Sequence, residues 1–277
     1  MAHATRLKLV GPIAAAAIVL IHGGPVSSAE PATPRSIALD YTMTMFAIPF
    51  GHLTYSGSFG RDRYTAEMHF QTSGLAAVLW KSKIDSAAQG RVTAAALLPD
   101  VYTTQSLSRR GTRQSVHVEY GSRAVPVMTA VPPYDLSNTP VSDAQKKGAV
   151  DPVTGISSII AGLSTSAGQP CGRTLAVFDG RRRYDVVFTF VRNEPGTGTI
   201  AATARVCEAE YRHIAGIPQD VVSVSKVPAI YATFVDVLSA SGHYTIARTI
   251  WSSFLWGAVE AKLTDVRIDG RPVTVNE

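Results

Sequence analysis

Short segments in which apolar and polar residues alternate recur along most of this 277-residue chain. In the first of them Ala, Asp or Thr stands between apolar residues of one parity, which are Ile37, Leu39, Tyr41, Met43 and Met45. A period of two places alternate side chains on opposite faces of a strand, which is typical of antiparallel sheets with one buried face. This pattern limits the fold more than any other feature of the chain.

The same period predicts strands at residues 53–59, 64–70, 115–120, 123–128, 174–178, 184–191, 203–211, 221–224, 230–237, 244–250 and 259–268. Residues 131–149, rich in Pro, Ser, Asn and Lys, predict a long surface loop. Residues 150–163 carry apolar side chains three and four positions apart, which predicts one short amphipathic helix that plugs an opening of the sheet. Asp151 is its predicted N-cap and Pro152 its first residue.

These elements show no β-α-β alternation and no long repeat. We therefore predict an all-β fold: a single curled antiparallel sheet, either a half-barrel or a spiral, with one short helix packed against it. Residues 37–277 form one β-rich domain in this interpretation, and residues 30–36 are a linker.

Residues 1–29 have the pattern of a secretory signal peptide. Arg6 and Lys8 precede an apolar run that ends at Ile21, and Ser27 and Ala29 are the small residues before a cleavage site. The run is shorter than the about 20 apolar residues that span a bilayer, and no Cys follows it, which argues against a lipoprotein. We expect export to the periplasm, cleavage near Ala29 and no transmembrane span afterwards.

The charge of the chain does not indicate a nucleic-acid partner. The formal net charge is +5, and two of the positive charges belong to the predicted signal peptide. The charge that remains is small, and an exported protein rarely meets nucleic acid.

The chain has two cysteines, Cys171 and Cys207. In an oxidising compartment such a pair predicts a disulfide. In a flat sheet these residues would lie two strands apart, about 9–10 Å, whereas a disulfide needs Cα atoms within about 7 Å. Either the sheet curls sharply at this point, or the Cys171 segment leaves the ladder and folds over it.

The sequence does not match the catalytic and metal-binding motifs that it partly resembles. Ser164 in GLSTSAG lacks the strand–turn–helix order of a nucleophile elbow, and the glycines at 196 and 198 have no helix to present to a phosphate. The histidines show no metal-ligand spacing. We expect no cofactor and no metal, although a hydrolase whose catalytic triad assembles only in the fold stays an alternative.

Three consecutive arginines follow a strong turn signal, Asp179–Gly180. Because a guanidinium offers a planar fork to phosphate or carboxylate, Arg181, Arg182 and Arg183 are candidate contacts to an anionic headgroup. In the alternative interpretation Arg182 pairs with an adjacent aspartate, Asp179 or Asp185, and its neighbours face water.

The segment CGRTLAVFDGRRRYDVVF, the second Cys and the following YRHIAG resemble exported bacterial proteins of the family called domain of unknown function 3108. IPFGHLTYSGSF is similar to the N-terminal part of that family, and the resemblance spans residues 37–268. It implies a cell-envelope protein of Gram-negative, alphaproteobacterial type with a curled β-sheet. It implies no activity and no catalytic residues.

The predicted apolar face contains large and adaptable side chains, which suit a lipid-binding surface. The candidate ligand contacts are Met43, Met45, Met68, Phe70, Phe188 and Phe190. A closed core would use the same residues, and the pattern favours that interpretation slightly. One sheet with a single short helix nevertheless has few elements to cover its concave face.

The sequence thus predicts a non-catalytic envelope protein that binds a lipid, a lipopolysaccharide fragment or a lipoprotein acyl chain. A scaffold that contacts other envelope proteins through an exposed edge strand is the alternative, and the cryptic hydrolase is the second.

Overall fold

A computed structural model describes residues 35–79, 81–107, 111–121, 125–162, 170–196, 203–218, 227–254 and 257–274. All of them belong to one compact unit, Thr33–Glu277. The predicted signal peptide, most of the predicted linker, the predicted strand at 221–224 and Ser164 lie outside the described residues.

The described elements are fourteen strands and three short helices. In chain order they are β1 (Arg35–Met45), β2 (Ile48–Phe59), β3 (Arg63–Thr72), α1 (Gly74–Leu79), β4 (Lys83–Val92), β5 (Leu97–Leu107), β6 (Arg113–Glu119), β7 (Val127–Val131), α2 (Asp143–Lys146), α3 (Pro152–Ile160), β8 (Thr174–Phe178), β9 (Arg183–Pro195), β10 (Thr203–Ala215), β11 (Ile230–Ser239), β12 (Gly242–Phe254), β13 (Gly257–Ile268) and β14 (Arg271–Pro272).

The strands form a single antiparallel sheet in the order β7-β6-β5-β4-β3-β2-β1-β13-β12-β11-β10-β9-β8, with β14 beside β13. It consists of two meanders, β1–β7 and β8–β13, which join where β1 pairs with β13 and Ile37 lies opposite Ile268. The sheet is not closed into a barrel, because β7 and β8 remain its two edges. The predicted all-β class and single curled sheet are confirmed.

The sheet curls until its two ends approach each other. The hydroxyl of Tyr120, which follows β6, donates to the carbonyl of Phe178 in β8 at 2.8 Å. Val150 bonds the same strand in parallel, through Ala176 and Phe178. In the middle of the sheet, side chains of the β11–β12 hairpin such as Tyr244 share a hydrophobic cluster with those of β1 and β13.

Helix α3 packs inside this curl, against β3, β4, β5, β8 and β12. Its predicted N-cap Asp151 and first residue Pro152 are confirmed. The Tyr55 hydroxyl donates to Ser157 Oγ at 2.8 Å and so connects the helix to β2. The helix therefore fills the interior of the curl rather than only plugging an opening.

Three strands, β4, β5 and the two-residue β14, have no counterpart among the predicted elements. The inward face of β4 is built from Ala88 and Gly90, which carry almost no hydrophobic signal. Pro99 and Asp100 interrupt the alternation in β5. Period-two patterning identifies a strand only where the buried positions hold large side chains.

The predicted boundaries around the long loop also differ from the structure. β7 begins at Val127, later than the strand predicted at 123–128. The predicted loop at 131–149 contains helix α2, which starts with a capping box between Ser142 and Gln145. That Ser-x-x-Gln signal was present in the sequence but stood among loop-forming residues.

Gly180 allows the β8–β9 turn to pack tightly against β6. A Cβ at this position would lie 2.5 Å from Cγ1 of Val116, and the backbone has φ +94°. We expect Gly180→Ala to lower the free energy of unfolding by about 2 kcal/mol or more, because it adds a steric clash to the left-handed strain. Urea denaturation measures the loss.

Gly148 offers the matched control, since it has φ +76° and no atom within 4 Å of an added Cβ. Gly148→Ala should show the backbone penalty alone, about 1 kcal/mol. Equal losses in the two variants would contradict the tight contact at Val116.

Candidate functional site

An apolar cavity of about 260 Å³ lies between helix α3 and the concave face of the sheet. The helix contributes Pro152, Gly155, Ile156, Ile159 and Ile160 to its wall. Strands β1–β3 form one side of the wall and β8–β12 the other. The cavity thus lies where the two meanders face each other across the helix.

Three hydroxyl groups on this wall, those of Tyr41, Tyr55 and Thr245, are already hydrogen-bonded. The Tyr41 hydroxyl donates to the carbonyl of Ala247 at 2.9 Å, and Thr245 Oγ1 donates to Asp236 at 2.9 Å. Burial raises the pKa of Tyr41 and Tyr55 well above the usual range of tyrosine, so both stay neutral. The wall therefore presents almost only apolar surface to a ligand.

The candidate ligand contacts divide into two groups. Met68 and Phe188 line the cavity. Met43, Met45 and Phe70 are half-buried and do not line it, and Phe190, opposite Cys207, is 50% exposed.

Sequence reasoning missed the contribution of the helix and of the small residues Ala209, Ala232 and Ala247, which line the cavity on the sheet side. Their parity was readable from the alternation. Small side chains leave space, however, and only the packing shows where that space lies.

The predicted disulfide between Cys171 and Cys207 is present, with Cα atoms 5.5 Å apart. Cys171 precedes the first residue of β8, Thr174, and its sulfur reaches β10 although β9 lies between the two strands. Gly172 and Arg173 still form backbone hydrogen bonds with Phe188 of β9, and the chain leaves the ladder only at Cys171, as the second of the two predicted geometries expects. Cys207 is buried in a cluster with Ile159, so the bond anchors this end of the sheet beside α3.

The three arginines have different surroundings. Arg182 pairs with Asp179 at 2.6 Å, and Arg183 pairs with Asp185 at 2.6 Å. The guanidinium of Arg181 instead lies over the ring of Tyr134, with its carbon 5.2 Å from the ring centroid. The structure thus pairs Arg182 as the alternative interpretation expected and leaves Arg181 in a different role.

A buried polar chain leads from the start of α3 to β3. Asp151 is fully buried and accepts hydrogen bonds from the backbone N–H of Thr154 at 2.8 Å and from its hydroxyl. Since that hydroxyl donates to Asp151, the Tyr64 hydroxyl, 2.6 Å away, donates to Thr154 Oγ1. Burial raises the pKa of Asp151 to about 6, against the lowering effect of these hydrogen bonds.

The described histidines with polar partners contact carboxylates. His69 contacts Asp85 at 2.9 Å, and His243 contacts Asp236 at 3.2 Å. Within the described ranges, no group of three or more His, Cys, Asp and Glu side chains is placed to hold a metal ion. No helix in that part of the chain is long and apolar enough to cross a membrane.

Comparison with protein families adds an identification to this geometry. A family model described as protein of unknown function (DUF3108) matches residues 40–216, more than half of the chain. The chain belongs to this family. The resemblance inferred from the DGRRRYD segment and its flanking cysteines is confirmed, and membership in DUF3108 assigns no activity to the cavity.

Comparison with curated protein sequences finds no match. Among solved structures, this DUF3108 chain is similar to a beta-barrel-like protein of domain of unknown function DUF1849 from Brucella abortus. The TM-score is 0.50 at 14% sequence identity, over 85% of this chain and 98% of that chain. At this identity the likeness concerns the fold alone.

Proposed function

We propose that this protein is a non-catalytic component of the bacterial cell envelope, exported to the periplasm, which binds an acyl chain in the cavity between α3 and the sheet. The acyl chain belongs to a lipid, a lipopolysaccharide fragment or a lipoprotein. The single observation that carries the proposal is the apolar cavity of about 260 Å³.

The size and the lining of the cavity favour a narrow apolar ligand. Apolar cavities of about 150 Å³ bind benzene rather than water, so this one has room for a longer group. Each methylene buried there contributes about 0.8 kcal/mol to binding. Pockets for drug-sized ligands measure about 300–1,000 Å³, so a cavity at or below the lower end of this range favours one chain over a two-chain lipid.

Two features support the acyl-binding proposal over the alternatives. One of the two sheet edges that a scaffold could use, β8, is partly covered by Val150, which bonds Ala176 and Phe178. The Ser157 hydroxyl of α3 accepts its hydrogen bond from Tyr55, a residue of the cavity wall, rather than from a histidine base. The Cys171–Cys207 disulfide agrees with an oxidising compartment such as the periplasm.

Titration of the protein with cis-parinaric acid, a fatty acid that fluoresces in apolar surroundings, tests the proposal. Ile156 lines the cavity and is 36% exposed, so a carboxylate at this position is compatible with folding. We expect saturable binding by the unmodified protein. Ile156→Asp should weaken this binding about tenfold or more, because the acyl chain would desolvate the unpaired charge of the new carboxylate.

Val78→Asp is the matched control, since Val78 is a helical apolar residue that is 82% exposed and does not line the apolar cavity. Its affinity should stay unchanged. Ala247→Leu, which fills part of the same cavity without a charge, should also weaken binding. Absence of binding by the unmodified protein, or equal effects at positions 156 and 78, would reject the proposal.

A further inference from the structure

A second, polar pocket of about 550 Å³ adjoins the apolar cavity. The two share Pro152 and Tyr184 as wall residues, so they lie on either side of the start of α3. Tyr102 and Thr104 are also among the wall residues of the polar pocket. Burial raises the pKa of Tyr102 above the usual range of tyrosine, so its hydroxyl stays neutral beside Ser86 and Thr104.

The charges around the polar pocket leave one positive group uncompensated. The Asp179 carboxylate is neutralised by Arg182. Lys146, near the same turn, pairs with Asp143 at 3.1 Å. The Arg181 guanidinium lines the pocket and makes no ion pair within the described part of the chain.

The position of Arg181 is held by the fold. Asp179 accepts hydrogen bonds from the backbone N–H groups of Arg181 at 3.0 Å and Arg182 at 2.7 Å, which fixes the turn. On one side Gly180 packs against Val116, and on the other the carbonyl of Arg181 abuts Gly216 so closely that a Cβ there would lie 2.1 Å from it. A turn held in this way loses little conformational freedom when a ligand binds.

The geometry points to a single-chain amphiphile with one anionic headgroup, a carboxylate or a phosphate monoester. The headgroup lies in the polar pocket against Arg181, and the chain passes Pro152 and Tyr184 into the apolar cavity. Guanidinium binds both kinds of headgroup because its planar N–H donors match two oxygens at once. This inference rests on the proposed function, since the chain occupies the same cavity.

Displacement of cis-parinaric acid by three competitors tests the headgroup: palmitate, hexadecyl phosphate and the uncharged hexadecanol. We expect Arg181→Gln to weaken the binding of palmitate and of hexadecyl phosphate about tenfold, which is the usual loss for a charge-assisted hydrogen bond. Hexadecanol should bind both proteins alike. Arg61→Gln, on the exposed turn between β2 and β3, is the matched control and should change nothing.

The outcomes separate the headgroup from the cavity. The headgroup inference is overturned if Arg181→Gln weakens the binding of hexadecanol as much as that of palmitate, or leaves the affinities of all three competitors unchanged. Acyl binding would stand in either case. If no competitor displaces the probe and the probe itself does not bind, the proposed function falls as well. Binding of inorganic phosphate as tight as that of hexadecyl phosphate would show a site for a free anion and overturn the inference that the ligand is an amphiphile.

Discussion

Replacing Cys171 and Cys207 together with alanine is expected to lower the free energy of unfolding by about 4 kcal/mol. The disulfide closes a loop with a sequence separation of 36, and it restricts the unfolded chain far more than the folded one. Because Cys207 is also buried beside Ile159, the variant loses some packing at the same end of the sheet. Urea denaturation of both proteins measures the difference.

The m-value of the same transition provides a check on the cause. A denatured state without the cross-link is more expanded, so the slope with urea should increase in the double variant. Reduction of the unmodified protein with dithiothreitol should reproduce the loss. An unchanged midpoint in both experiments would contradict a stabilising role for the bond.

Asp151→Ala is expected to lower the free energy of unfolding by about 3 kcal/mol. It removes the N-cap of α3 and leaves the buried N–H and hydroxyl of Thr154 without their acceptor. Asp151→Asn should lower the free energy of unfolding less, because the amide oxygen still accepts a hydrogen bond from the backbone N–H of Thr154. Thermal unfolding of the two variants side by side distinguishes the cap from the charge.

The same carboxyl group predicts a pH dependence of stability. Its pKa is about 6 in the folded protein and has an ordinary value of 3.8, so the folded state binds the proton more tightly than the unfolded state. The resulting contribution to the free energy of unfolding is complete below the ordinary pKa of 3.8 and is lost as the pH rises through about 6. Relative to Asp151→Asn, the unmodified protein should gain about 1.3 kcal/mol between pH 7 and pH 5.

Denaturation curves of both proteins at the two pH values test this sign. Protonation of carboxyl groups with a lowered pKa, such as Asp85, destabilises the fold in acid. This effect is the same in both proteins and therefore cancels in the comparison. A difference that grows with rising pH would show that Asp151 is held charged in the fold.

Local pattern determined much of this fold. Strand β8 was predicted at its observed bounds, Thr174–Phe178, because the period-two pattern of the first strands returns there. Helix α3 was predicted with its cap because Asp151 and Pro152 are signals that act within one turn. The disulfide followed from the presence of two cysteines in a chain whose first 29 residues predict an export signal.

The tertiary structure alone decided the candidate site. Met68 lines the cavity and Met43 does not, although both have the parity of the buried face. Arg181 remains unpaired within the described residues, while its neighbour Arg182 takes the carboxylate of Asp179. The alternation of a strand shows which face a side chain is on, whereas space and unpaired charge depend on which distant strands the curl brings around α3.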